Sequence, residues 1–349
     1  MIESFYKLVK PMLFRLDAET AHRLVLGMLS AWPIADPPAS PTNLNTRVLG
    51  LDFRNPVGLA AGMDKDAIAP AAWQSLGFGF VELGTVTRRP QPGNLRPRVW
   101  RLLEHRALIN RLGFPGKGME TVARRIEEFR GKEPKLRIGI NIGPNKDTPA
   151  DKVADDYAAL AGRLGTLADF VVINLSSPNT PGLRAFQSPE RLREIRAALD
   201  AARVPNVRYL IKLSPDIADA ELGPICESIV DLGFEGIVAT NTTIAREELG
   251  ISTSYEGGLS GAPLRDRSRA TIRTIRRHVG TRVPIIGVGG IASAADAYGH
   301  IRAGASLVEL YTSLIYEGPG LVKSINAGLS ALLTRDGFRS ISEAVGADV

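Results

Sequence analysis

The sequence has one cysteine, Cys226, so no disulfide forms within the chain and no cysteine-based metal cluster can be built. Its four histidines, at positions 22, 105, 278 and 300, include no pair at metal-ligand spacing. No stretch is long enough for a transmembrane helix. The longest uncharged run near the start, 24–35, is interrupted by Pro33. That run follows several charges and lacks a clean small-residue cleavage site, which argues against a secretory signal and for a reducing, cytosolic setting. Lysine and arginine exceed aspartate and glutamate by 43 to 37, a net charge of +6 with no basic block. Anionic ligands or an anionic membrane surface fit this mild excess better than nucleic acid does. What is present is the balance of a folded protein: 44% hydrophobic and 23% charged residues exclude disorder. The 349 residues suit two ordinary domains or one α/β barrel.

The first forty residues stand apart. Phe5, Leu8, Val9, Met12, Leu13 and Leu16 recur at helical spacing, and Ala21, Leu24, Val25, Met28, Leu29 and Trp32 do so again. Asp17 between them is a candidate N-cap, and Pro33, Pro37, Pro38 and Pro41 end the pattern. Lys7, Lys10, Arg15 and Arg23 ring the apolar faces. Two readings fit: a helical hairpin packed on the rest of the protein, which is the commoner use of such stripes, or a membrane-surface device leading an apolar ligand inward.

From residue 55 one unit repeats. Short apolar runs at 57–62, 80–86, 137–143, 170–176, 209–214, 236–242, 284–290 and 306–312 each end in small or polar residues, and a helical pattern follows each. Near-continuous apolar strands belong to a parallel sheet covered on both faces. Eight such units predict an α/β fold of the (β/α)8 TIM-barrel type with an N-terminal two-helix extension, divided at 1–40 and 41–349. An open doubly wound sheet is the alternative, but no GxGxxG follows the first strand.

In a barrel the strand C-termini face the active site, so the residues ending each run become candidates. Five asparagines gather there: Asn110, Asn141, Asn174, Asn179 and Asn241. A single asparagine at a strand end is usually a turn residue. Five at one mouth suit a planar amide or imide, since each amide pairs a donor with an acceptor. Gly289-Gly290 precede a helix beginning near Ser293, the place where barrels often bind phosphate, although Gly-Gly is as often only a turn. Lys212 lies inside the apolar run Leu210-Ile211-Lys212-Leu213 and so needs a partner or a bound anion. Lys65 either adds a cation at the mouth or is a surface lysine. Cys226, in an apolar helical stretch, reads as a structural thiol.

Taken in order, these strings resemble the dihydroorotate dehydrogenases of the membrane-associated, quinone-reducing class. The carriers are Asp17 to Leu24, Gly58 to Asp66, Asn110 to Phe114, Ile173 to Gly182 and Ile285 to Ile291, spread over nearly the whole chain. The resemblance implies oxidation of dihydroorotate to orotate in pyrimidine biosynthesis, with noncovalent FMN as cofactor and no metal. It implies FMN contacts at Ala61, Gly62, Met63, Asp64, Lys65, Thr85, Asn141, Asn174, Lys212, Thr240, Gly261, Gly290, Tyr311 and Thr312. Dihydroorotate is expected at Lys65, Asn110, Arg111, Leu112, Gly113, Phe114, Asn174, Asn179, Asn241 and Thr242. Ser177 is the implied catalytic base, where soluble relatives use cysteine, and 180–187 the implied lid. The N-terminal helices become a tunnel for a ubiquinone-type acceptor, with His22, Arg101 and Tyr311 at the head-group end. A monomer on the phospholipid surface of the inner membrane, cytoplasmic side, completes the expectation. Three rivals are a soluble-class enzyme using fumarate or NAD, a Schiff-base lyase acting through Lys212, and a non-catalytic membrane module.

Overall fold

The structure, a computed structural model, describes residues 2–180, 182–246 and 250–349; Met1 and Pro181 of the segments discussed above lie outside them. Eight parallel strands close a barrel in chain order: Val57–Leu59, Phe80–Val86, Arg137–Ile142, Phe170–Asn174, Tyr209–Leu213, Gly236–Ala239, Ile285–Val288 and Leu307–Leu310. The last strand pairs with the first. Each strand lies within one of the eight expected runs, and the C-terminal surplus of each run forms the loops of the mouth. Strand residues are buried almost throughout, because helices cover the outside while side chains fill the interior.

The closed end is packed by aromatic rings that two glycines admit. A Cβ on Gly58 would lie 2.3 Å from the Phe80 ring, and one on Gly139 would lie 2.2 Å from Phe170. Phe80 therefore sits edge-on between Phe53 and Phe170, at 5.6 and 6.0 Å. Phe53 belongs to a hairpin, Thr46–Val48 with Leu51–Phe53, that plugs this end. The sequence pattern gave no sign of that hairpin.

At the open end, the long segment expected to be a loop contains two antiparallel strands, Val99–Leu102 and Ala107–Asn110. A third, Gly258–Gly261, joins them across a separation of some 150 residues in sequence. The resulting sheet roofs part of the mouth. The periodicity of four-residue strands is too short to read, and their partners are remote.

Helices α1 (Ile2–Arg15) and α2 (Ala18–Ser30) precede the barrel, and Asp17 caps α2 by accepting from Thr20 N–H at 2.9 Å. They lie over the mouth but bury little: Phe5, Leu8, Met12, Leu16, Leu24 and Met28 are exposed. Arg101 anchors the end of α1 by donating to the carbonyls of Phe14 and Leu16, at 3.1 and 3.0 Å. A cation there also complements the helix C-terminus. Residues 32–41 connect α2 to the barrel without helix or strand.

Candidate active site

Two cavities open above the strand ends. The first, of about 160 Å³, sits directly over the barrel and is lined by the residues that terminate the strands. The second, of about 630 Å³, lies between α1, α2 and the barrel. Lys65, Val99, Leu108, Leu112 and Tyr311 line both.

Hydrogen bonds organise the asparagines of the first cavity. Asn174 Nδ2 donates to Thr85 Oγ1 and to Asn141 Oδ1, both at 3.0 Å. Asn241 Nδ2 donates to Ser176 Oγ at 2.9 Å and to Asn174 Oδ1 at 3.3 Å. Asn179 Nδ2 donates to Asn110 Oδ1 at 3.3 Å. Asn110, Asn174, Asn179 and Asn241 line the cavity; Asn141 stands behind them, fully buried, and orients Thr85 and Asn174. Ser177 is buried at the cavity wall. Its hydroxyl accepts from Asn179 N–H at 3.2 Å, which leaves its own proton free to point into the cavity.

Lys212 has the partner that its place in an apolar strand requires. Its ammonium lies 3.0 Å from Glu82 and 3.9 Å from Glu309. Burial alone would lower the lysine's pKa, but the two glutamates outweigh it and leave it raised. Lys65 differs. Burial pulls its ammonium down to about 8, against the favourable fields of Asp66 and Glu19, and it donates to Gly62 O at 2.6 Å.

Two of the expected contacts turn their side chains elsewhere. The Asp64 carboxylate faces away from both cavities, accepting from Ile68 N, Ala69 N and Trp73 Nε1 at 2.7, 2.8 and 3.0 Å. These bonds fix the turn that leads into the helix Pro70–Ser75. The Arg111 guanidinium lies over Trp100 and near Glu256, outside the first cavity. Met63 lines the second cavity, not the first. Leu112, Gly113, Phe114, Thr240, Thr242, Gly261, Gly290 and Thr312 all reach the first.

The anion position also needs redrawing. Helix Ala294–Arg302 closes its own N-terminus: Ser293 caps it, and Asp296 accepts from Ala292 N–H and Ser293 Oγ. A carboxylate already meets those donors. The glycine turn itself faces the cavity, together with Thr312 and Ser313 of the next loop. Gly290 has φ +68°, and a Cβ there would come within 2.4 Å of Arg265, so only glycine fits. Ser313 Oγ is buried at this point without a protein partner, as expected of a group that meets a bound polar ligand.

The surface of the second cavity is mostly apolar, much of it from Phe5, Val9, Leu13, Val25, Met28, Leu29 and Trp32 of the N-terminal segment, and polar groups share the wall. His22, Arg101 and Tyr311 are among the latter. Burial, aided by the Lys65 charge, pushes the His22 imidazole down to about 3, so it is neutral. Burial likewise raises the Tyr311 phenol to about 12. The sequence reading missed the clamp holding this arrangement. Arg98 donates to both Glu19 oxygens, at 2.7 and 3.0 Å, and to the carbonyls of Pro92 and Asn94. It also missed Glu82 and Glu309, although both lie in apolar runs as Lys212 does.

Fold and site together define a (β/α)8-barrel oxidoreductase with a polar, ring-sized site and an adjoining apolar chamber. The comparisons make this specific. The family model for dihydroorotate dehydrogenase matches residues 43–333. A dihydroorotate dehydrogenase (quinone) of Parvibaculum lavamentivorans is 48% identical over 348 residues, covering 99% of both chains. That of Thermobifida fusca is 45% identical, covering 97% of this chain and 95% of its own. The crystal structure of ligand-free DHODH from Eimeria tenella superimposes with a TM-score of 0.89 at 38% identity, covering 95% of this chain and 99% of that one. A second structure from that organism, in complex with ferulenol, gives the same score. The chain belongs to the dihydroorotate dehydrogenase family. It oxidises dihydroorotate in pyrimidine biosynthesis and passes the electrons to a quinone. The family is flavin-dependent, and its quinone-type members are membrane-associated.

Proposed function

We propose that the two cavities divide the reaction: FMN and dihydroorotate occupy the first, and the quinone enters through the second. The observation that carries this reading is the shared wall at Lys65, Val99, Leu108, Leu112 and Tyr311. A cofactor against that wall touches both compartments. The fit to FMN rests on the cavity itself. The unpartnered Ser313 hydroxyl and the Gly289–Gly290 turn suit a phosphate. The Lys212 ammonium offers a donor to a polar ring edge, Asn174 and Thr85 line the cavity beside it, and the Gly62 backbone admits a flat ligand.

When bound, FMN supplies the two-electron acceptor that the reaction needs. The protein's part is to hold the substrate and move a proton. Asn110 and Asn179 retain amide N–H groups for the pyrimidine ring, Asn174 and Asn241 reach it by exchanging their bonds to one another and to Ser176, and Lys65 offers a charge to its carboxylate. Ser177 takes the C5 proton. A serine is a weak base, so the proton must pass on. Ser176 is engaged with Asn174 and Asn241, which leaves Thr180 or water as the relay.

The raised pKa of Lys212 argues against the lyase reading, because a Schiff-base lysine must be neutral to attack a carbonyl. The exposed apolar residues of α1 and α2, flanked by Lys7, Arg15 and Arg23, favour docking on an anionic phospholipid surface. Among the described residues no helix is long and apolar enough to cross a membrane. We place the protein as a peripheral monomer on the cytoplasmic face of the inner membrane, using a ubiquinone-type acceptor. The cofactor reading is tested by denaturing the purified protein and identifying what it releases. One FMN per chain is expected; FAD, or no flavin after reconstitution, contradicts it.

A further inference from the structure

Among the side chains of the eight barrel strands, only Glu82, Arg137, Tyr209, Lys212 and Glu309 titrate. Arg137 pairs with Asp169 and Tyr209 lies beside Arg196 at the opposite end, so neither faces the site. The strands flanking Glu309, Val57–Leu59 and Ile285–Val288, carry no charge. Glu82, Lys212 and Glu309 therefore form an isolated group at the floor of the first cavity. Both carboxylates have side-chain exposures of 0%.

Glu82 has the donors of an ionised carboxylate. Its Oε1 accepts from Lys212 at 3.0 Å and from Asn141 Nδ2 at 2.5 Å. Glu309 has none within hydrogen-bond reach. Both of its oxygens, and Glu82 Oε2, are buried without a protein donor. Two anions against one ammonium would leave a net negative charge in the barrel centre, at high cost. One proton on Glu309 removes that charge and supplies a donor for Glu82.

We propose that Glu309 is a positioning residue for the electron-accepting half of the reaction: it keeps a proton, so that Lys212 and Glu82 balance and the floor of the cavity carries no net negative charge. The inference rests on the flavin reading above. Dihydroorotate gives up one hydrogen as a proton and the other as two electrons with a proton. The second transfer brings one negative charge into the cavity. A neutral floor with the Lys212 ammonium at its surface accommodates that charge, and an ionised Glu309 would oppose it. Burial, and then the neighbouring Glu82, hold the Glu309 carboxyl well above the usual range, in keeping with this count.

Glu309→Gln keeps the shape and is permanently neutral. Two measurements on the holoenzyme decide the matter. The first is the infrared difference between wild type and variant in the carbonyl stretch of protonated carboxyls, with deuterium exchange. The second is the flavin midpoint potential from neutral to alkaline pH. The expected infrared result is a protonated-carboxyl band that the variant loses. The expected potentials agree at neutral pH and diverge at alkaline pH, the wild type falling more steeply as Glu309 ionises. Lys65, which titrates near 8, is common to both proteins and cancels in the difference. No lost band, or a potential that rises in the variant already at neutral pH, would mean that Glu309 is an anion and overturn the proposal. A preparation that stays colourless after reconstitution with FMN would fail the flavin reading instead, and the infrared band would still decide where the proton sits.

Discussion

The cavity over the barrel and the cavity under the N-terminal helices meet at five residues and differ in nearly everything else. The first is small and built from strand ends: asparagines, Ser177, Lys212 and a glycine turn, held by hydrogen bonds that fix each amide. The second is about four times larger, lined mostly by aliphatic and aromatic side chains on two helices in which, among the described residues, only Ala21 and Leu26 are buried. A rigid barrel can present polar groups at fixed positions, which suits proton and electron transfer from one small ring. A loosely packed helical pair gives up internal burial to keep an apolar passage open. The difference is what the proposed division asks for: the substrate is a polar anion and the acceptor is apolar, so each would suit one chamber and not the other.

The largest expected effect separates the chambers chemically. Ser177→Ala should slow flavin reduction by dihydroorotate by about 10²–10⁴-fold, the usual worth of a positioned base, and leave quinone reoxidation unchanged. Anaerobic stopped-flow traces of the two half-reactions check this, and equal slowing of both would erase the division. Next comes the clamp. Arg98→Met leaves the partly buried Glu19 paired with Arg96 alone, at a cost on the order of 1–3 kcal/mol. Burial alone would raise the Glu19 pKa, but Arg98 and Arg96 hold it below the usual range, so the clamp is strongest above that range and weakens as acid protonates Glu19. Hydrogen exchange in α2 should rise in the variant while the barrel strands stay protected. Uniform exchange across both would show that the chambers share one stability.

A smaller effect concerns Lys65. Burial lowers its pKa to about 8, so the folded protein favours the neutral amine and gains stability as pH rises from there toward the ordinary lysine value. Loss of the ammonium should weaken hold on the substrate carboxylate. KM for dihydroorotate is expected to climb above pH 8 in the wild type and stay flat in Lys65→Arg, whose charge persists. The same climb in both would place the titration elsewhere. Smallest of all, Leu8→Glu with Met12→Glu alters the outer face of α1, which lies outside the cavity. Sedimentation with anionic vesicles should weaken, and turnover with a soluble quinone analogue should not change.

How much of this could be read in the chain depended on distance along it. Each barrel strand is a local apolar run, and its mouth residues follow immediately, so the eight strands and the asparagine cluster were legible. Lys212 was visible because one charge interrupts an apolar run. Glu82 and Glu309 interrupt theirs in the same way, and that signal was there to use. The roof sheet was hidden because its third strand comes from a loop far along the chain. The Glu19–Arg98 clamp was hidden for the same reason, spanning 79 residues. Asp64 and the helix after Ser293 misled because sequence adjacency does not say which way a carboxylate turns.

The most direct test of the two-chamber account is an anaerobic visible spectrum of the intact protein and of a variant lacking residues 1–40. Dihydroorotate is added first, and then a ubiquinone analogue. The account expects both proteins to lose the flavin band with dihydroorotate, and only the intact protein to recover it promptly with quinone. Equal recovery in the shortened protein would show that electrons leave without the helical chamber, and would contradict it.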